Sequence, residues 1–262
     1  MLKRSSFLLL PLSIMGLLAF TWPLFIPESD FFLFQNENTK WLAAAVLPIA
    51  ILLFIFEINY GGLDSKSVAL LGVFAALICA LRLLGAGAIG IEPIWFLLIL
   101  IGRVFGANFG FTLGVTSLFA SALITGGVGP WLAFQMLAAG WVAMFAGLIP
   151  KRLTGKYEIL VISFYAVIAT QLFGLLMNLQ LWPWLIGADS QLSFVASDSV
   201  ANNIQRFLVF HLATSLSWDI PRAVFTVILI LLTGKPILIT LRRAKKKLEV
   251  ATNLPLVKQK VV

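Results

Sequence analysis

Charge is what this chain has least of. Only 11% of its 262 residues are Asp, Glu, Lys or Arg and 60% are hydrophobic, whereas a soluble domain carries roughly 25% charged residues. That deficit excludes a soluble globular protein. Histidine and cysteine are scarcer still, with one of each, His211 and Cys79. The lone Cys79 sits inside an apolar run, so it makes no disulfide, and no Cys/His cluster offers a metal site. No cofactor is expected. No G-x-x-x-x-G-K-[ST] stretch occurs, so any ATP the protein uses is hydrolysed by another subunit. No G-x-S-x-G surrounds Ser121, which weakens an intramembrane hydrolase built on Ser121 and His211. No internal repeat pairs broken helices, a frequent mark of secondary transporters. The basic, apolar N-terminus lacks a small-x-small cleavage site, so the stretch from Phe7 to Ile26 reads as a retained helix.

What is present comes in long apolar blocks. Runs of ~18 or more apolar residues are transmembrane helix candidates. Lipid gives the backbone no hydrogen-bond partners, and the blocks lack the period-two alternation of barrel strands. The fold class is therefore an all-α integral membrane protein. Spans are expected at about 7–26, 41–58 and 67–85, then at 132–149 and 157–180. As one helix, 94–123 would be ~45 Å long at ~1.5 Å per residue, against a ~30 Å hydrocarbon core. It reads instead as two short spans turning between Arg103 and Asn108. The last stretch, 203–241, is also too long for one straight span, with Pro221 the expected kink. The total is eight helices.

The net charge of +8 reports orientation rather than nucleic-acid binding. Lys3 and Arg4, then Lys151, Arg152 and Lys156, then the run Arg242, Arg243, Lys245, Lys246 and Lys247 all flank apolar blocks. They share one side only if 94–123 is two spans, and positive residues concentrate on the cytoplasmic side. Both termini are then cytoplasmic. The expected units are an N-terminal two-helix extension (1–60), a core (61–241) and a basic cytoplasmic tail (242–262).

Two ladders of small residues stand out. Gly72, Ala76 and Ala80 share one helical face, and Gly102, Gly106, Gly110 and Gly114 form a second ladder around the proposed turn. Such faces let another helix approach closely. For the first ladder, internal packing and docking of a separate membrane subunit both stand open; for the second, internal packing is the favoured reading. Polar groups at membrane depth are functional candidates: Arg82, Glu92, Gln135, Gln171, Asn178, His211, Asp219 and Arg222. Arg82 and Glu92 flank one loop, either neutralising each other or lining a vestibule. Asp219 and Arg222, three apart, read as a structural ion pair. His211 is either a satisfied polar contact or a proton relay. The tryptophans Trp95, Trp131, Trp141, Trp182, Trp184 and Trp218 fit an interfacial belt. Trp131 is the exception, closing the loop "GGVGPW" where glycines let backbone approach a ligand.

From Ser67 to Pro150 the chain resembles the substrate-binding membrane subunit, the S component, of energy-coupling factor (ECF) vitamin transporters. The resemblance is carried by "VFAALICALRLLG" and by "VFGANFGFTLGVTSLFASALITGGVGPWLAFQMLAAGWVAMFAGLIPK", with "TSLSWDIPRAVFTVILILLTGKP" further on. It implies a six-helix core preceded here by two extra helices, in a bacterial plasma membrane. It implies an Ala-x-x-x-Ala contact with a transmembrane coupling subunit, matched by Ala76 and Ala80, and two partner ATPases. It also implies an outward substrate pocket, to which Arg82, Glu92, Gly127, Trp131, Gln135, Asn178 and His211 are assigned. The cargo would be a vitamin or related micronutrient, with cobalamin favoured and riboflavin, queuosine precursors and other heterocycles open. An autonomous ion-coupled secondary transporter is the alternative, with Asp219 its one buried acid.

Overall fold

The computed structural model describes residues 4–21, 24, 48, 51–52, 65–85, 90–185, 192–195 and 198–253. Among them all regular structure is helical: α1 (Arg4–Thr21), α2 (Ser65–Leu84), α3 (Ile94–Phe105), α4 (Ala107–Thr125), α5 (Leu132–Ala146), α6 (Gly155–Leu185) and α7 (Val200–Asn253). Four of these, α2, α4, α6 and α7, are long and apolar enough to cross a membrane, while α3 and α5 are apolar but shorter. The protein is membrane-embedded and all-helical. The expected span 41–58 falls almost wholly outside the described residues.

The split of 94–123 is borne out. Helix α3 ends at Phe105, Gly106 alone makes the turn, and α4 begins at Ala107. Gly106 has φ +98° and ψ 174°, a region of backbone space open essentially only to glycine. The ladder then works as internal packing. A Cβ on Gly110 would lie 2.6 Å from the Ala143 carbonyl oxygen, and one on Gly114 2.5 Å from that of Ala139. Gly102 faces the same Ala143 carbonyl. These glycines let α3 and α4 press directly on the α5 backbone, which yields van der Waals contact where lipid supplies no hydrophobic drive.

Helix α3 is the centre of the bundle: every residue from Ile94 to Val104 is buried. Its 12 residues span only ~18 Å. Helices α2, α4, α5, α6 and α7 pack around it. Helix α1 adds to the outside, with the Ser13 hydroxyl 3.0 Å from Trp141 Nε1 and Phe20 edge-on to Phe134.

One expectation is corrected. Trp95, Trp141 and Trp182 are buried, at 1%, 6% and 0% exposure, so they belong to the interior and not to an interfacial belt. Helix α7 runs as one element through both Pro221 and Pro236. It also continues through the basic run to Asn253.

At the end of the bundle carrying the basic residues, a buried polar lock joins four segments. Arg103 Nε donates to Glu158 Oε1 at 2.8 Å, and Arg242 Nη2 donates to the same oxygen at 2.6 Å. The remaining Arg103 donors reach the carbonyls of Ile149, Pro150 and Leu153 at 2.7–3.2 Å. Lys245 Nζ donates to the Val104 carbonyl.

Candidate functional site

The opposite end is built differently. There α2 ends, α3 begins, α4 ends and α5 begins, and the outer stretches of α6 and α7 complete the wall. A cavity of about 670 Å³ lies among them, inside the ~300–1,000 Å³ range of small-molecule sites. The floor is the start of α3, where Glu92, Ile94 and Trp95 line the cavity. Because α3 is one of the short helices, it leaves this part of the bundle unfilled.

Arg82, at the last turn of α2, points across to α4 and α5. Its Nη1 donates to Ser121 Oγ at 2.6 Å and to the Leu118 carbonyl at 3.4 Å, and its Nη2 donates to Gln135 Oε1 at 3.3 Å. All three acceptors are neutral. Glu92 makes no direct ion pair with Arg82, although its charge still acts on the Arg82 guanidinium. Glu92 instead takes a two-pronged contact from Arg222, at 3.1 and 3.2 Å, across 130 residues of sequence. Trp95 Nε1 donates to the same carboxylate at 2.5 Å.

Arg222 is the node of the other wall. Besides Glu92 it binds Asp219 Oδ1 at 2.5 Å through Nη1, so the expected α7 ion pair is present. Its guanidinium also lies over the Phe173 ring, 5.3 Å from the centroid, a cation–π contact. Two carboxylates thus share one guanidinium. Asp219 is 1% exposed; its Oδ2 has no hydrogen-bond partner of ordinary geometry among the described residues, and the Ser215 hydroxyl lies close to the same carboxylate. His211 Nε2 stands 3.9 Å from that oxygen. Gln171 Nε2 donates to the Asp219 carbonyl, tying α6 to the turn that holds Pro221.

No family model matches this chain, and neither a curated protein nor a solved structure matches it. The site is read from its own geometry.

Of the residues singled out in the sequence, Arg82, Glu92, Gln135, Asn178, Asp219 and Arg222 line the cavity together. Asn178 Nδ2 donates to Thr214 Oγ1 at 3.1 Å and lies 3.3 Å from His211 Nδ1. His211 is buried behind Asn178 and Asp219 and is not itself a lining residue. Gly127 and Trp131 do not line the cavity either. Trp131 is 40% exposed, its ring folded over Gly129. Ser121 bonds to Arg82 and to the Leu118 carbonyl, so its hydroxyl is not aimed at His211. Cys79 is buried against the Ser117 carbonyl. Among the described residues no group of three or more His, Cys, Asp or Glu is placed to hold a metal ion.

Sequence reasoning missed Trp95, Phe173, Thr214, Ser215 and Trp218, which also line the cavity. A signal was there. Gly174 and Asn178 fall four apart on α6, and Ser215, Trp218, Asp219 and Arg222 recur at three- and four-residue steps on α7, so each set shares a helical face. Gly174 lets the Asp219 carboxylate lie directly against the α6 backbone.

The first small-residue ladder also has a location. Gly72, Ala76 and Ala80 are exposed, and a Cβ on Gly72 would meet nothing within 4 Å. Val73, Leu77 and Leu84 continue that outer face at 63%, 48% and 78% exposure. The stripe is not internal packing within the described bundle.

Proposed function

We propose that this chain is the substrate-capturing membrane subunit of an ECF-type importer, taking a vitamin or related micronutrient from outside the cell. The observation that carries the reading is the position of the cavity. It opens at the end of the bundle opposite the lock formed by Arg103, Glu158, Arg242 and Lys245. Positive residues favour the cytoplasmic side, so the cavity faces outward and both termini lie inside; a bacterial plasma membrane is what the sequence resemblance implies. The exposed stripe Gly72, Ala76 and Ala80 supports the same reading, as a flat, small-residue face for the coupling subunit. Two ATPases bound to that subunit would supply the energy, and the chain itself would catalyse nothing. The volume favours drug-sized heterocycles over cobalamin, toward which the sequence resemblance leans.

The test is a binding screen on the purified full chain in detergent, without partners, against biotin, pantothenate, nicotinate, thiamine, riboflavin, folate, queuine and cobalamin, read by tryptophan fluorescence and thermal shift. Tight binding of one compound is the expected result. A folded chain that binds none of them sinks the capture reading.

One observation favours a second reading, an ion-coupled secondary transporter. The open Asp219 oxygen beside His211 is an arrangement a proton-coupled carrier would use. Liposomes containing this chain alone, given a pH gradient and the bound compound, separate the two: accumulation without ATPases would establish the carrier.

A further inference from the structure

The cavity has two unlike poles. At the α6–α7 wall, Asp219 and Glu92 share the single guanidinium of Arg222, leaving one negative formal charge. At the α2–α5 wall, Arg82 has no carboxylate within 4 Å among the described residues, and its partners are a hydroxyl, an amide and a carbonyl. A guanidinium carries five N–H donors in a rigid fork. Three bonds leave at least two of those donors without an acceptor among the described residues. Its neighbours do more than accept. Ser121 and Gln135 hold the fork from α4 and α5, and the Ser121 hydroxyl donates its own hydrogen bond to the Leu118 carbonyl. Arg82 is therefore oriented before anything binds, so little ordering cost remains to be met on binding.

A half-buried cation with spare, pre-aimed donors is most stabilised by a ligand that brings an anion. Arginine forks match carboxylate and phosphate oxygens, and such charge-assisted bonds are roughly twice as strong as neutral ones. An anion placed at the other pole would instead meet two carboxylates, one of them with an open oxygen. The ligand's orientation follows. Its acidic end lies against Arg82, Gln135 and Ser121, and its N–H or O–H donors lie toward Asp219. We propose that the cavity selects a small ligand bearing an anionic oxygen group, carboxylate or phosphate, and that Arg82 is the residue that reads it. This rests on the capture reading above and narrows its cargo.

The experiment uses matched probes differing in that one group: biotin and biotinamide, pantothenate and panthenol, nicotinate and nicotinamide, and riboflavin 5′-phosphate and riboflavin. Each is titrated against the full chain in detergent, with cobalamin and thiamine alongside. In the pair that binds, the anionic member is expected to bind tighter by about tenfold or more, the effect of losing one charged hydrogen bond. The first three pairs winning identifies a carboxylate, and the fourth a phosphate. Arg82→Gln should remove the preference, bringing anion and neutral partner to similar affinity, while Arg82→Lys retains part of it. Residual binding of the neutral member by Arg82→Gln shows that the variant still folds. A neutral member, thiamine or cobalamin binding as tightly as any anion overturns this inference and leaves the capture reading standing. Binding of nothing to folded wild-type chain overturns both.

Discussion

Replacing Arg222 with methionine should be far more damaging than neutralising either of its partners. Arg222 holds Asp219 at 2.5 Å and Glu92 at 3.1 and 3.2 Å. Methionine keeps much of the packing against Phe173 but leaves Asp219, 1% exposed, with His211 at 3.9 Å as its nearest cationic candidate. Stranding a buried charge in this way costs about 3–5 kcal/mol, roughly a hundred- to several-thousand-fold in the folding equilibrium. Glu92 has a side chain 28% exposed, so solvent screens its half of the network and Glu92→Gln should cost about 1 kcal/mol or less. Asp219→Asn keeps an acceptor for Nη1 and leaves Arg222 paired with Glu92, so about 1.5–3 kcal/mol is expected. The decisive variant is the double substitution Arg222→Met with Asp219→Asn. It removes the stranded charge and should recover at least about 1 kcal/mol over Arg222→Met alone. Unfolding in mixed micelles titrated with sodium dodecyl sulfate, followed by tryptophan fluorescence, measures all four. If Glu92→Gln costs as much as Arg222→Met, or the double variant is no better than Arg222→Met, the stranded-charge argument fails.

Other outcomes follow from the same structure. Glu158→Ala removes the carboxylate shared by Arg103 and Arg242 and should lower stability by about 3–5 kcal/mol; ligand affinity, set at the other end, should hold in the surviving folded fraction. Ala80→Trp puts bulk on the exposed stripe and should abolish uptake in cells with partner subunits while leaving binding to the isolated chain intact, and loss of both would refute a docking role. Asp198, outside the membrane helices, is held below the usual carboxylate range by the Asn202 side chain first, then by the Ser199 N–H and by Arg206. A lowered folded value means its contribution is present above the ordinary value of about 4 and is lost as pH falls through the folded one. Amide exchange at the start of α7, corrected for intrinsic rates, should therefore accelerate between pH 5 and pH 3 (both about), and Asp198→Asn should flatten that response.

The helical plan was legible because the bilayer constrains it. The length of 94–123 and the sidedness of Lys151 and Lys156 together demanded a turn, and Gly106 supplied it. The glycine ladder was legible for a similar reason, since four-residue spacing fixes a face. The pairing of Glu92 with Arg222 was not legible. It joins positions 130 apart, and Arg82, nearer in sequence and equally charged, was the more obvious partner. Trp95 was misplaced because an amphipathic ring near a span end suits both an interface and a buried N–H donor; only the Glu92 carboxylate decides between them.

The two ends of the bundle treat buried charge in opposite ways, and this contrast points to where the function lies. At the basic end, Arg103 has every guanidinium nitrogen bonded, to Glu158 and to three carbonyls. Four of its five N–H donors are used there, one more than Arg82 uses. At the cavity end, Arg82 keeps spare donors and the Asp219 Oδ2 acceptor is left open at 1% exposure. A buried polar atom without a partner costs roughly 1–3 kcal/mol, and native structures carry few of them. Ser117 Oγ, Ser163 Oγ, Gln180 Oε1 and Thr226 Oγ1 are likewise without a partner among the described residues and lie outside the cavity, so an open atom marks a site only where it borders the cavity. Spare Arg82 donors on the wall of the cavity are stability withheld from the empty protein and recoverable when a complementary ligand binds. That ligand is also defined by what is missing: an acceptor for Arg82.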